Sequence, residues 1–372
     1  MTADWQEKPL GEVFKFYNGK AIKPGGIGEY PVYGSNGIIG GSDEFKYEDA
    51  IIIGRVGAYC GSVLYCNGRL WASDNTIVAK PYNEELDIQF AFYMLKTMNL
   101  NYYAGGAAQP LMTQTVLKGI TTITPPLTTQ RKIAGVLSAY DNLIENNTRR
   151  IAILEEMAQR IYKEWFVDFK YPGHENDTMV DSELGIIPEG WPIGELGDFI
   201  EFKRGKNLTK KQMIRGNIPV VSAGINPSGY HNISNVNGPV VTVSASGANA
   251  GYISLYLRNV WASDCSYFNI ESTGHFFYYY SLINSRKKEI DNMQRGAAQP
   301  HVYPKDLMGL LITNPTKMLL DKFEDITKVI FYKIGNLRKS SINLRQTRDL
   351  LLPKLISGQV DVSELNIHIG ES

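Results

Sequence analysis

The sequence predicts an α/β (α+β) chain built by duplication. Two mixed, mostly β domains are each followed by a long helix, and the two helices pair as an antiparallel coiled coil with pseudo-two-fold symmetry. Three observations carry this reading. Heptad-spaced apolar residues fill two uninterrupted stretches, identical short strings recur about 190 residues apart, and the remaining segments are short Val/Ile/Tyr-rich runs broken by Gly, Asn and Pro.

The first long helix is predicted from Leu127 to Lys170, between the breakers Pro125–Pro126 and Tyr171–Pro172–Gly173. Within it Ile133, Leu137, Tyr140, Ile144, Asn147, Ile151, Leu154, Ala158, Ile161 and Trp165 recur at alternating spacings of four and three, and only Asn147 is not apolar. At about 1.5 Å per residue, such a helix is a rod roughly 60 Å long. The same frame returns between Asn314–Pro315 and Ser357–Gly358, at Phe323, Thr327, Ile330, Ile334, Leu337, Ser341, Leu344, Arg348, Leu351 and Leu355. Two matching stripes in one chain most simply bury each other; the plainer alternative is that each covers its own domain's core. Asn147, whose counterpart in the repeat is Leu337, is a candidate for setting register. Pro353 predicts a kink near the end of the second helix.

The duplication extends beyond the helices. Trp71–Ala72–Ser73–Asp74 repeats as Trp261–Ala262–Ser263–Asp264, and Gly106–Ala107–Ala108–Gln109–Pro110 as Gly296–Ala297–Ala298–Gln299–Pro300. Phe16, Gly19 and Lys20 answer to Phe202, Gly205 and Lys206. Each first part holds short strand-like runs, in the first half Tyr30–Tyr33, Ala50–Ile53, Ser62–Tyr65 and Thr76–Lys80. A helical patch follows, near Ile88–Met98 and Phe276–Asn284. The predicted organisation is a first domain over 1–126, a helix over 127–170 and a linker over 171–190. A second domain over 191–315, a helix over 316–358 and a tail over 359–372 complete it.

Composition limits the function. Lys plus Arg equals Asp plus Glu, 38 each, so the bulk basicity of a stand-alone nucleic-acid binder is absent. One local cluster stands out: Lys203, Arg204, Lys206, Lys210, Lys211 and Arg215, with no acidic residue between Phe202 and Gly216. It suits phosphate, as it suits an ordinary solvated face. The three cysteines have neither disulfide-framework nor zinc spacing, the five histidines show no ligand pattern, and no signal peptide or long apolar span is visible. A reduced, cytoplasmic setting is the expectation.

Further strings carry a family resemblance. They are Pro125–Pro126–Leu127–Thr128–Thr129–Gln130–Arg131–Lys132–Ile133, Leu154–Glu155–Glu156–Met157–Ala158–Gln159, Trp165–Phe166–Val167–Asp168–Phe169, Leu184–Gly185–Ile186–Ile187–Pro188–Glu189–Gly190–Trp191 and Leu355–Ile356–Ser357–Gly358. With the repeated Gly–Ala–Ala–Gln–Pro they resemble, along the whole chain, the specificity subunit of type I restriction-modification enzymes. The resemblance implies two target-recognition domains, each reading one half of a split, asymmetric site in double-stranded DNA. It implies helices that fix the spacing and dock two methyltransferase (modification) subunits, with restriction/translocase subunits completing the enzyme. S-adenosylmethionine, ATP and Mg are then expected on those partners and no cofactor or metal in this chain.

The residues themselves show no catalytic set. Thr124–Pro125–Pro126–Leu127 lacks the polar and aromatic residues of an adenine-methylating loop, and neither Gly19–Lys20 nor Gly205–Lys206 has the rest of a phosphate loop. Two rivals stay open: a self-contained methyltransferase or nuclease, and a coiled-coil scaffold with two protein- or glycan-binding heads. Under DNA recognition, positions shared by both halves serve the scaffold or the backbone, and differing positions read bases. Lys20, Lys206, Gln109 and Gln299 fall in the first class, with Trp71 and Trp261 expected in the core. Arg55 and Tyr59, which stand where the second half has Ala245 and Asn249, fall in the second. So do His301 opposite Leu111, and Lys23, Asn36, Lys210 and Lys211 in loops that differ between halves. Each competes with being an ordinary polar surface residue.

Overall fold

A computed structural model describes residues 5–106, 109–295, 300–362 and 364–365. The chain divides into two compact units, Met1–Asn146 with Ser340–Ser372, and Asn147–Lys339. Each unit therefore holds one globular domain and part of both long helices.

Unit 1 begins with β1 (Gln6–Pro9), the short α1 (Leu10–Val13) and β2 (Phe14–Asn18). Next come β3 (Tyr30–Gly34), β4 (Gly37–Ser42), β5 (Tyr47–Gly54), β6 (Val63–Ala72) and β7 (Thr76–Pro81). These form one sheet in the order β2-β7-β5-β6-β3-β4, antiparallel except for the parallel β3–β6 pair, where Val32 faces Trp71. Then α2 (Ile88–Thr97) covers the sheet, its first turn capped by Asp87, which accepts from the Phe90 N–H at 2.8 Å. After α3 (Gln114–Gly119), β8 (Thr121–Thr124) pairs with β1, so the domain closes where α4 (Leu127–Phe166) starts.

Unit 2 repeats this plan after an insertion. The linker over 171–190 contains a 3-10 turn and a hairpin, β9 (Met179–Ser182) with β10 (Gly185–Pro188). Strands of four residues are too short to display an alternation in sequence. β11 (Ile193–Glu195) is followed by β12 (Lys203–Arg204), β13 (Ile218–Val221), β14 (Gly229–His231), β15 (Val240–Ser244), β16 (Ile253–Tyr256), β17 (Trp261–Ala262) and β18 (Cys265–Asn269). Strands β12 to β18 make two sheets, β12-β18-β15-β16 and β14-β13-β17. The parallel pairing recurs, now between Val220 on β13 and Trp261 on β17. α5 (Phe276–Ser285), α6 (Lys287–Asn292) and α7 (Pro304–Met308) lead to β19 (Leu311–Thr313), which pairs with β11 just before α8 (Lys317–Ile356).

Both long helices have 40 residues. α4 stops four residues before the predicted Lys170. Phe169 takes a left-handed φ of 55°, and the N–H groups of Asp168 and Lys170 donate back to the carbonyls of Lys163 and Glu164. α8 continues past Pro353, whose carbonyl accepts from Ser357 at 3.1 Å.

The heptad seam is buried in both units. In unit 1 Ile133 and Leu137 pack with Leu352 and Leu355, flanked by half-buried Leu351; Ile144 is buried, and Tyr140 and Leu344 are half-buried. In unit 2 Asn147, Phe323, Ile330, Ile334 and Leu337 are buried, and Ile151, Leu154 and Ile161 are partly so. Arg348 meets Asp141 in unit 1, and Arg338 meets Glu155 at 2.6 Å in unit 2. Within each unit the α8 number falls as the α4 number rises, so in each the helices pair antiparallel. The series runs from Ile133 and Leu137 beside Leu352 and Leu355 to Asp141 beside Arg348 in unit 1. In unit 2 it runs from Glu155 beside Arg338 to Trp165 beside Phe323.

Candidate nucleic-acid interface

In unit 1 the turns at one end of the sheet are tied together by backbone bonds. Lys20 N–H donates to the Ala72 carbonyl at 2.9 Å, Arg55 N–H to Asn75 at 2.8 Å, and Gly57 N–H to Pro110 at 3.2 Å. Ser35 Oγ donates to the Asn75 carbonyl at 2.7 Å, and Ser62 Oγ to that of Ser35. Lys20, Asn36, Arg55, Tyr59 and Gln109 are thereby gathered at this end, and all but half-buried Arg55 are exposed. Lys23 stands apart, on a loop whose Gly25 and Gly26 bond along the edge strand β4.

Unit 2 builds the corresponding end and repeats two of these bonds. Lys206 N–H donates to Ala262 at 2.9 Å and Gly247 N–H to Pro300 at 3.0 Å. Asn249 lies in the turn Gly247–Asn249, and His301 bridges Ser246 and Arg295 and stacks on Tyr303, with ring centres 5.8 Å apart. Lys210 and Lys211 occupy a 3-10 turn capped by Thr209 and are joined to β14 by the Ile214 N–H to His231 Nδ1 bond. Gln299 lies outside the described residues.

The repeated Gly–Lys pair has a structural cause. A Cβ on Gly19 would fall 1.8 Å from the Ser73 carbonyl oxygen, and one on Gly205 would fall 2.2 Å from that of Ser263. The chain can approach this closely only through glycine. The next carbonyl, of Lys20 or Lys206, accepts the indole N–H of Trp71 at 3.0 Å or Trp261 at 2.8 Å. This corrects the expectation that both tryptophans are core residues: each is half-buried, its ring covering the sheet while its N–H fastens the loop. The lysine side chains remain exposed in both units.

The basic run of unit 2 is partly neutralised. Lys203 lies 3.7 Å from Glu201, and Arg204 lies 2.7 Å from Asp264. Among the described residues Lys206, Lys210, Lys211 and Arg215 have no carboxylate partner and are exposed, leaving four cations for an anion.

The sequence reading missed the groups that engage Asp264. Its Oδ1 accepts from Arg204 and its Oδ2 from Ser246 Oγ at 2.5 Å. The only signal was that the repeated Asp74 and Asp264 have unlike neighbours in the two halves. Among the described residues no cluster of His, Cys, Asp or Glu could hold a metal, and no helix is long and apolar enough to cross a membrane. The three thiols are free and buried, and burial pushes each of them up, Cys265 to about 12.

Comparison with known proteins agrees with this architecture. Residues 2–156 and 188–319 match the type I restriction modification DNA specificity domain. The chain is 28% identical over 307 residues to the type I restriction enzyme MjaIX specificity subunit of Methanocaldococcus jannaschii, covering 74% of this chain and 70% of that one. It is 23% identical to the MjaVIII specificity subunit of the same organism, covering 98% of this chain and 94% of that one. The fold is similar to the crystal structure of a type I restriction-modification S subunit from M. genitalium, with a TM-score of 0.70 and 19% identity over 95% of this chain and 97% of that one. The chain belongs to the specificity subunits of type I restriction-modification systems, the non-catalytic targeting components of those enzymes.

Proposed function

We propose that this chain recognises a bipartite, asymmetric sequence in double-stranded DNA, each unit reading one half. It docks two methyltransferase subunits, and restriction/translocase subunits where the system has them, in the cytoplasm. The partners supply S-adenosylmethionine, ATP and Mg. The observation that carries the reading is the pair of loop ends just described. Two of their backbone bonds recur in both units, from Lys20 or Lys206 to Ala72 or Ala262 and from Gly57 or Gly247 to Pro110 or Pro300, whereas Arg55 and Tyr59 in one give way to Ala245 and Asn249 in the other. A common frame with divergent side chains suits two readers of unlike sequences. The scaffold alternative, with two protein- or glycan-binding heads, gives no reason for an exposed lysine, Lys20 or Lys206, held at the same place on both ends.

The test is genome-wide methyladenine mapping in a host without other methylases, expressing this chain with its methyltransferase partner. Two short unlike blocks around a fixed unread gap are expected. A continuous motif would contradict the division between units, and no motif with partner binding verified would favour the scaffold.

A further inference from the structure

An arginine accompanies the repeated aspartate in both units, but it comes from different places in the chain. In unit 2 it is Arg204, on β12, and both oxygens of Asp264 are occupied, by Arg204 Nη2 at 2.7 Å and Ser246 Oγ at 2.5 Å. The matching positions of unit 1 are Asn18 and Val56, which supply neither group. There the arginine is Arg55, just beyond β5, where unit 2 has Ala245. Its Nη1 lies 3.5 Å from the carbonyl oxygen of Asp74, a contact at the limit of a hydrogen bond. Among the described residues no carboxylate pairs with Arg55, and no side chain engages the exposed carboxylate of Asp74.

Unit 1 thus presents a guanidinium that reaches the backbone of Asp74, and the exposed carboxylate of that same residue, each with unused capacity, at the loop end proposed to face DNA. In the major groove guanine offers two acceptors, O6 and N7, and its cytosine partner offers the N4 donor. A forked donor beside an acceptor is the complement of that pattern. We infer that Arg55 and Asp74 together read one G·C base pair in the half-site of unit 1. Asp264 and Arg204 satisfy each other and Ser246, so in unit 2 they hold the loop end in place and read no base. This inference rests on the proposed function and deepens it.

The experiment maps methylated motifs for the complete complex carrying wild-type chain, Arg55→Gln, Asp74→Asn or Arg204→Gln. The half belonging to unit 1 is the one left unchanged when residues 191–315 are exchanged for those of a relative. That half should contain a G·C pair whose discrimination falls about 10- to 100-fold in Arg55→Gln and also relaxes in Asp74→Asn. Arg204→Gln should keep every letter while lowering the extent of methylation, with Arg204→Lys partly restoring it. Should Arg55→Gln abolish methylation, the nearly isosteric Asp74→Asn decides. Unchanged letters in folded, active Arg55→Gln and Asp74→Asn complexes would overturn the inference, as would a changed letter in Arg204→Gln. A split wild-type motif in either case leaves the proposed function standing; its absence removes both.

Discussion

Unit 1 and unit 2 join the same three helical elements with opposite chemistry. In unit 1 Tyr93 on α2 donates to Asp141 on α4 at 2.6 Å, and Asp141 also accepts from Arg348 on α8. One polar clamp ties the sheet-covering helix to both rods. The matching positions of unit 2 are Ser281, Phe331 and Ala158. There Phe331 stacks on Phe277, with ring centres 5.1 Å apart and planes at 14°, and Tyr280 meets it edge-on. Ala158 and Ser281, smaller than their counterparts Arg348 and Tyr93, line a cavity of about 610 Å³ together with Tyr162, Tyr280 and Phe331 among others. Duplication has kept the frame, which is the antiparallel pairing, and let the adhesive diverge. An apolar stripe is satisfied by many side-chain sets of similar volume, whereas a carboxylate–guanidinium–phenol clamp needs all its members.

That contrast sets the expected sizes of the mutational effects. The largest belongs to the aromatic centre of unit 2, where Phe323 is fully buried among Tyr162, Trp165, Phe166 and Tyr278. Phe323→Ala should cost about 3–5 kcal/mol in urea-induced unfolding. A loss below about 1 kcal/mol would mean that the aromatic cluster does not hold unit 2 together. Next comes the clamp. Arg348→Met removes a largely buried cation and leaves Asp141 with Tyr93 alone, at a cost of about 2–3 kcal/mol. A double-mutant cycle with Asp141→Asn should return a coupling above about 1 kcal/mol; additive losses would show that the two groups act independently.

Smaller effects are expected where the two units agree. Gly19→Ala and Gly205→Ala should each cost about 1–3 kcal/mol, since each Cβ meets a backbone carbonyl. The indole emission of the adjoining tryptophan should shift as its N–H loses the lysine carbonyl. Equal stability and unchanged emission would rule out the fastening role given to this turn.

The smallest effect is one of pH and is confined to unit 2. Glu324 caps α5 by accepting from the N–H groups of Phe277 at 3.0 Å and Tyr278 at 3.3 Å. Burial pushes its carboxyl above the usual range, and these N–H bonds only partly oppose it. A raised pKa in the folded state means the contribution is fully present below the unfolded pKa and is lost as pH rises through the folded pKa. Unfolding followed across mildly acidic pH should show this small decline in the wild type. Glu324→Gln, which keeps an acceptor but cannot ionise, should lack it.

Periodicity explains what was legible beforehand. Ile133, Leu137, Phe323 and Ile334 announce themselves by spacing, because burial along a helix repeats with its turn, and all four are buried. The repeated Trp–Ala–Ser–Asp string located the sheet end without revealing how it works. Trp71 is half-exposed because its N–H has a fixed partner in Lys20, a bond set by a close approach of Gly19 that no spacing records. Arg204, Ser246 and Asp264 are far apart in sequence and come together only through strand order. Of the candidate readers, Arg55 and Asn249 were locatable because two copies of one frame could be compared position by position, which substitutes for an alignment.

The most direct test of two separate readers is an exchange. Residues 191–315 are replaced by those of a relative with a different target, and methylated sites are mapped with the partner subunit present. One block of the split motif should change while the other block and the gap stay fixed. If both blocks change together, or neither does in a folded and active complex, the two units do not read independently.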